Sequence, residues 1–214
     1  RHAAESGVTA IAVTPHCNLP GFRRNYRGPD YRRQLNGLRE LLTQENIPLR
    51  LYSGAEVFAD PSNIRTLIEQ HELITLGGSR YLLVEFDFGL PGSVLLRTLE
   101  AIAQRGLVPV VAHPERYDAV QRHPGLAAWC FSRGLLGLLG SRAEDTALHL
   151  LSHGLAHLIA SDAHDDRFRT TGFRSLLPVL EPICHPDYIA LLLHGNPRRI
   201  LRDEPIPIPP LQSD

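Results

Sequence analysis

Short apolar runs alternate with longer amphipathic segments along most of this chain. Six runs have the length and composition of buried strands: residues 8–13, 49–54, 80–86, 107–113, 135–140 and 155–161. Helical patterns lie between or after them, at residues 30–45, 63–72, 93–106, 125–134, 143–154, 171–180, 187–194 and 197–202. Strands separated by helices pair in parallel through right-handed crossovers. The alternation therefore predicts an α/β fold in which helices surround a parallel barrel.

The composition fits a single buried domain with a short tail. The chain has 214 residues, of which 43% are hydrophobic, and this is enough for one well-packed core. We predict one barrel domain over residues 1–203. The Pro-rich residues 204–214 predict an extended C-terminal arm.

Charge and cysteine content exclude several classes of partner. The net charge of -1 gives no field that would favour nucleic acid or an anionic membrane. No apolar run approaches the roughly 20 residues of a membrane span. The Cys residues at positions 17, 130 and 184 have no paired spacing, which indicates reduced thiols in a cytoplasmic protein.

Polar side chains with metal-binding chemistry lie at the ends of the predicted strands. In a parallel barrel these ends meet at one pole, where the functional site lies. An isolated carboxylate in an apolar run, such as Glu85, is costly to bury unless it is paired or bound to metal. Mixed His and carboxylate ligands suit Zn, Mn or Fe, and so many ligands indicate two or more ions of the kind that hydrolyse phosphate esters. The candidate ligands are His16, Glu56, Glu85, His113, Asp162 and His164.

Two arginines follow these strand ends. Arg116 comes three residues after His113, and Arg169 comes five residues after His164. Each belongs to a loop above the same pole, where a guanidinium fork suits a phosphate group. The alternative for each is a solvated surface arginine. A wider Arg-rich loop, residues 23–33, is either a docking surface for an acidic or phosphorylated peptide or, as we favour, a solvated loop.

The stretch "HCNLPGFR" (residues 16–23) allows a competing interpretation, because it matches the H-C-x5-R string of cysteine-dependent phosphatases. Such a loop turns its backbone N–H groups toward phosphate. Pro20 has no N–H group to donate, and Leu19 and Phe22 are bulky for a tight cradle. We therefore favour His16 over Cys17 as the residue that takes part in chemistry.

The motifs "VTPH", "GAE", "LLVEF", "VPVVAHPER" and "ASDAH", in this order and spacing, resemble one known family. They are similar to the bacterial protein-tyrosine phosphatases of the PHP (polymerase and histidinol phosphatase) superfamily, which act in capsule and exopolysaccharide biosynthesis. The resemblance covers the chain from Ala3 to Leu201. It implies a distorted (β/α)7 TIM-like barrel and a three-metal site. It also implies a phosphotyrosine protein substrate, a bacterial tyrosine autokinase.

The resemblance also implies a role for each candidate residue. The six strand-end residues named above would be metal ligands, with manganese among the possible ions. Arg116 and Arg169 would bind the phosphate, and water activated by the metals would attack phosphorus directly without a phosphocysteine.

One part of the family pattern has no counterpart in this chain. The family begins with a strand that bears H-x-H, and nothing before His16 matches it. We expect the first strand to be missing from an N-terminally incomplete chain. Two alternatives stay open, a PHP phosphoesterase that acts on a small phosphomonoester and a catalytically impaired PHP barrel that only binds ligands.

Overall fold

Parallel strands and intervening helices make up the computed structural model of this chain. The structure describes residues 1–22, 24–124, 126, 135–138, 144–165, 171 and 176–207. The strands are β1 (Ala10–Val13), β2 (His16–Cys17), β3 (Arg50–Ser53), β4 (Glu56–Phe58), β5 (Tyr81–Glu85), β6 (Val108–Val111), β7 (Leu135–Leu138) and β8 (Leu158–Ile159). Each of the six predicted ranges contains one observed strand, and two short strands that were not predicted, β2 and β4, follow the first and second of them.

The helices occupy the gaps between the strands. They are α1 (His2–Glu5), α2 (Pro29–Gln44), α3 (Ile64–Glu69), α4 (Gly92–Ala103), α5 (Asp118–Arg122), α6 (Glu144–Ser152), α7 (Leu177–Leu180), α8 (Pro186–Ala190) and α9 (Asn196–Leu201). Short 3-10 turns cover Leu76–Gly78 and Pro114–Arg116, and a π-helical turn covers Leu191–Gly195. The predicted helix over residues 125–134 lies outside the described residues, apart from Leu126.

Every described strand pair is parallel. Hydrogen bonds join β1 to β3 in one sheet and connect the others in the order β2-β4-β5-β6-β7-β8. Apart from the separate β1–β3 pair, this order follows the chain, as expected for repeated crossovers. The α/β class with parallel sheets is therefore confirmed, whereas closure into a seven-stranded barrel stays a prediction.

The central strand and the helix after it explain where the core lies. β5 is buried along most of its length because its neighbours β4 and β6 flank it and helices cover the sheet. Helix α4 presents Leu95, Leu99 and Ile102 at helical spacing, and all three side chains are fully buried. By contrast, Leu38 and Leu41 of α2 are exposed, although they lie at helical spacing from the buried Leu35.

A close approach between neighbouring strands explains the break between β3 and β4. Gly54 lies at this break, and a Cβ atom added there would stand 3.0 Å from Cγ2 of Thr14 and 3.3 Å from the carbonyl oxygen of Val13. The Tyr31 hydroxyl donates to the Gly54 carbonyl at 2.8 Å and accepts from its N–H at 3.0 Å. The break thus lies in a fixed position two residues before Glu56.

The ends of the described chain also pack on the domain. Helix α1 ends in a Schellman turn, in which Gly7 has a φ of 88° and the Val8 N–H donates to the Ala3 carbonyl. At the other end, the Tyr81 hydroxyl donates to the Glu204 carbonyl at 2.6 Å. The predicted arm therefore starts against β5, and residues 208–214 lie outside the described residues.

Candidate metal centre

Sheet register brings the first candidate ligands together. His16 of β2 and Glu56 of β4 are direct register partners, and Phe58 of β4 lies beside Glu85 at the end of β5. Since side chains alternate along a strand, Glu56 shares the face of Phe58 and thus of Glu85. Potential ligand atoms of His16, Glu56 and Glu85 all lie within 4.8 Å of one another.

His113 completes this cluster from the loop after β6. Its Nε2 atom lies 2.9 Å from Oε1 of Glu56 and 3.6 Å from Oε2 of Glu85, while Nδ1 of His16 lies 3.1 Å from Oε1 of Glu85. Both carboxylates are buried, as is the His113 ring. We define His16, Glu56, Glu85 and His113 as the strand cluster.

The charge balance of the strand cluster favours a cation. Burial alone would lower the pKa of His113, but its interactions with Glu56 and Glu85 outweigh burial and raise this pKa to about 9. Two buried carboxylates therefore draw positive charge to this position, which a proton or a metal ion can supply. The mixed imidazole and carboxylate donor set is one that divalent transition metals accept.

Asp162 and His164 lie in the segment after β8, and we call them the loop pair. The Nδ1 of His164 donates to the Asp162 carbonyl at 2.8 Å, so the proton is on Nδ1 and the Nε2 lone pair is available to a metal. The His164 and His16 ring centroids are 6.1 Å apart. The loop pair thus borders the strand cluster, which brings all six candidate ligands into one region.

Arg116 reaches the same region from the 3-10 turn after β6. Its Nη2 atom lies 3.9 Å from Oδ2 of Asp162, and 32% of its side chain is exposed. A partly exposed guanidinium beside the centre can still accept an oxyanion partner. Arg169, the second candidate for phosphate binding, lies outside the described residues.

Backbone strain occurs at both halves of the centre. His113 has a φ of 33° and Asp162 has a φ of 44°, in the left-handed region that few non-glycine residues adopt. Such strain costs about 1–3 kcal/mol per residue and persists only where the surroundings enforce it. It sets the direction in which each side chain leaves the backbone.

Tyr117 holds the backbone that carries two of the candidate ligands, and it was not identified from the sequence. Its hydroxyl accepts from the Phe86 N–H at 3.1 Å and donates to the Ala112 carbonyl at 3.0 Å, so it joins the residue after Glu85 to the residue before His113. Burial is the main cause that raises the pKa of this hydroxyl well above its ordinary value, which keeps it protonated. The only sequence signal was its position directly after Arg116.

Asn25 also positions the centre and was not identified from sequence. Its side-chain amide donates to the His16 carbonyl at 2.7 Å and fixes the backbone of β2.

Two residues after Asn25, Arg27 lines a cavity of about 310 Å³ together with Arg32 at the start of α2. The structure gives this Arg-rich loop no contact with the candidate ligands through Arg27 or Arg32, and its role in peptide docking stays a prediction.

The environment of Cys17 contradicts the cysteine-phosphatase interpretation. The side chain is buried, and burial, with a smaller contribution from the charge of Glu72, raises the pKa of its thiol to about 12. A nucleophilic cysteine must be a thiolate, and this thiol is protonated at neutral pH. Cys17 therefore packs in the core, while the adjacent His16 faces the centre.

The fold and the cluster define a parallel α/β protein with a candidate metal centre of His and carboxylate side chains, and comparisons with known proteins identify its family. Residues 1–202 match the family model of capsular polysaccharide synthesis, CpsB/CapC. The chain therefore belongs to the CpsB/CapC family, which confirms the resemblance to capsule-associated bacterial tyrosine phosphatases.

Curated relatives are similar over most of this chain. It is 28% identical to tyrosine-protein phosphatase YwqE of Bacillus subtilis, over 96% of this chain and 83% of the relative. It is 26% identical to tyrosine-protein phosphatase CpsB of Streptococcus pneumoniae, over 92% of this chain and 86% of the relative. A putative tyrosine-protein phosphatase CapC of Staphylococcus aureus is 28% identical, over 77% of this chain and 67% of the relative.

A solved structure matches the whole fold. It comes from crystallographic work on YwqE of Bacillus subtilis and CpsB of Streptococcus pneumoniae, which are described as unique metal-dependent tyrosine phosphatases. The TM-score is 0.86 at 26% identity, and the match covers 99% of this chain and 88% of the solved chain. This chain thus shares its fold with a solved metal-dependent tyrosine phosphatase.

Proposed function

We propose that this protein is a metal-dependent phosphoric monoester hydrolase that removes phosphate from tyrosine side chains of a protein substrate. The observation that carries this proposal is the strand cluster, in which two buried carboxylates and two imidazoles converge at the ends of neighbouring strands. The relatives named tyrosine-protein phosphatases support the reaction, because they are similar over most of their length.

The proposed ligands fit two to three divalent ions of Mn, Zn or Fe. They are His16, Glu56, Glu85, His113, Asp162 and His164, and their imidazole nitrogens and carboxylate oxygens border one region. Bound ions would activate a water for attack on phosphorus and neutralise charge on the phosphoryl oxygens.

The protein's own residues would orient the phosphate and the ligands. Arg116 would donate N–H groups to the phosphoryl oxygens and stabilise the charge that develops on them. Arg169 is proposed for the same role from the family resemblance. Tyr117 and Asn25 act through the backbone, because their hydrogen bonds hold the segments that carry the ligands.

The remaining parts of the proposal concern fold and context. We propose that the parallel strands close into a distorted (β/α)7 barrel of the PHP type, which the chain-order pairing of β4 to β8 supports. We also propose a cytoplasmic protein whose substrate is a tyrosine kinase of polysaccharide export. Within the described part of the chain, no helix has the length and apolar character needed to cross a membrane.

Two neighbouring substitutions test the proposed chemistry. His16→Ala should reduce hydrolysis of a phosphotyrosine peptide at least about a hundredfold, and EDTA should abolish it, because the metals supply the water and the charge. Cys17→Ser should change kcat/KM by less than about threefold, because the thiol is buried and protonated. The reverse pattern, with a dead Cys17→Ser variant and no effect of EDTA, would establish a cysteine enzyme.

A substrate comparison separates the open alternatives. Phosphotyrosine peptide, histidinol phosphate and a nucleoside monophosphate should be assayed side by side with the metal-loaded protein. Faster hydrolysis of either small ester would identify a different PHP phosphoesterase. Less than one metal ion per chain, with no hydrolysis of any ester, would identify a barrel that only binds ligands.

A further inference from the structure

Phe88 presents an aromatic side chain to solvent at the rim of the centre. It lies three residues after Glu85, and 46% of its surface is exposed. Its ring meets the His113 ring edge-on, with centroids 5.6 Å apart and planes at 76°. A phenylalanine normally lies in the core. The exposed part of the Phe88 ring is therefore apolar surface against which a ligand can pack.

The loop that carries Phe88 is tightly held. An Asp87 carboxylate oxygen accepts from the Gly89 N–H at 2.9 Å, and the Asp87 carbonyl accepts from the Leu90 N–H at 3.0 Å. The Phe88 carbonyl accepts from the Asp118 N–H at 2.9 Å, which ties this loop to the start of α5. The ring is therefore preorganised, and little conformational entropy is lost when a ligand packs against it.

Two buried rings support Phe88 from one side. Besides His113, the ring of Tyr117 lies 5.9 Å away at 48°, and Tyr117 is fully buried. The ring of Phe88 thus rests on the centre's own supports and leaves its other surface open. A group held at the centre and extending outward would pass this open surface.

We propose that Phe88 is the specificity-determining residue that contacts the phenyl ring of the substrate phosphotyrosine. This inference rests on the proposed function, which places the phosphoryl group at the metal centre. The ring of an aryl phosphate lies a few ångströms beyond its phosphorus. A phosphoryl group held beside His113 would therefore bring this ring near Phe88, whose ring centroid lies 5.6 Å from that of His113. Aromatic pairs prefer centroid separations of about 4.5–7 Å, so the two rings can meet.

The selection acts on the leaving group of the ester. A phosphoserine has no ring to place against Phe88, so it would gain nothing from this contact. An aromatic pair together with the apolar area that it buries corresponds to about tenfold in binding. Phe88 therefore favours aryl over alkyl phosphates without contacting the reacting phosphorus.

The competing explanation is that Phe88 only shields His113 from water. In that case its loss would disturb the centre itself and reduce hydrolysis of every phosphate ester equally. Phe88→Leu distinguishes the two explanations because it keeps an apolar side chain against His113 but removes the ring. Phe88→Tyr keeps the ring, and Leu41→Ala serves as a control that removes an exposed apolar side chain on helix α2.

The test compares a phosphotyrosine peptide with the matched phosphoserine peptide on the metal-loaded protein and its variants. We expect Phe88→Leu to lower kcat/KM for the phosphotyrosine peptide about tenfold, chiefly through KM, and to leave the phosphoserine peptide unchanged. Phe88→Tyr and Leu41→Ala should keep the wild-type ratio. Wild-type rates of Phe88→Leu on both peptides, as expected if an apolar side chain over His113 is sufficient, would overturn the proposal, and so would an equal loss on both peptides.

A binding measurement separates this proposal from the proposed function. Benzylphosphonate and ethylphosphonate differ only by a phenyl in place of a methyl group, and neither is hydrolysed. Calorimetry should show tighter binding of benzylphosphonate by about tenfold, and Phe88→Leu should remove the difference. Equal affinities in the wild type would overturn the role of Phe88 even if phosphotyrosine is hydrolysed. A benzyl preference that depends on Phe88, in a protein without phosphatase activity, would instead overturn only the proposed function.

Discussion

The two halves of the proposed centre are built in different ways. The carboxylates and His113 of the strand cluster are buried, and sheet register sets the spacing of the two carboxylates. The loop pair depends on a positive φ at Asp162 and a hydrogen bond from His164, and 42% of the His164 side chain is exposed. The comparison teaches that sheet register fixes the two carboxylates, while local contacts fix the loop pair.

The largest effect should come from the strand cluster. Glu85→Gln keeps the shape of a side chain that faces both His16 and His113 but removes its charge. We expect kcat/KM on a phosphotyrosine peptide to fall at least about a hundredfold, and elemental analysis should show loss of bound metal. Glu40→Gln, on the exposed surface of α2, is the matched control. Full activity and full metal content in Glu85→Gln would remove the strand cluster from the mechanism.

A smaller loss is expected in the loop pair. Asp162→Asn should lower kcat/KM about ten- to a hundredfold and reduce the metal content only in part, because the strand cluster can still bind an ion. Steady-state kinetics and elemental analysis on the same preparation measure both quantities. A loss greater than that of Glu85→Gln would reverse the ranking of the two halves.

Tyr117→Phe tests how the fold transmits its rigidity to the strand cluster. The variant loses the hydroxyl that bridges Phe86 and Ala112, so we expect a loss of about 1–3 kcal/mol in the free energy of unfolding, measured with urea. Activity should fall several-fold because Glu85 and His113 lose a shared support.

The matched control for this substitution is Tyr188→Phe. The Tyr188 hydroxyl donates to the Ala156 carbonyl at 2.6 Å, away from the strand cluster. This variant should lose stability but keep its activity. If both variants lose activity in proportion to their stability, Tyr117 has only a structural role.

Arg116→Lys, which keeps the charge but loses the guanidinium fork, should lower kcat/KM for the phosphotyrosine peptide about tenfold.

The smallest effect is expected in the Arg-rich loop. Arg27→Ser should leave KM for the phosphotyrosine peptide within about twofold, because a solvated arginine makes a weak contribution to binding. A tenfold rise in KM for Arg27→Ser would instead identify the cavity beside α2 as a peptide-binding surface.

The sequence was sufficient to predict the strand cluster because its signal is local. Glu85 and His113 each interrupt or end an apolar run, and parallel strands bring such ends together. The contacts of Tyr117 with Phe86 could not be predicted, because 31 residues separate them and only tertiary packing joins them. The exposure of Phe88 could not be predicted either, since hydrophobicity alone predicts that this side chain is buried.

Helix α2 shows the converse limit. The helical spacing of its apolar residues predicted this helix, which begins and ends within one residue of the predicted boundaries. Leu35 is buried, but Leu38 and Leu41, which lie at helical spacing from it, face solvent. Apolar spacing therefore located the helix but did not establish which of its residues have neighbours.

The left-handed backbone at His113 and Asp162 places the centre where stability and activity are opposed. Glycine adopts a positive φ without steric cost, so His113→Gly and Asp162→Gly would relieve strain while removing two of the proposed ligands. Selection for thermal resistance alone would therefore drift toward inactive sequences at these two positions. Consensus-based stabilisation of this fold should accordingly leave positions 113 and 162 untouched.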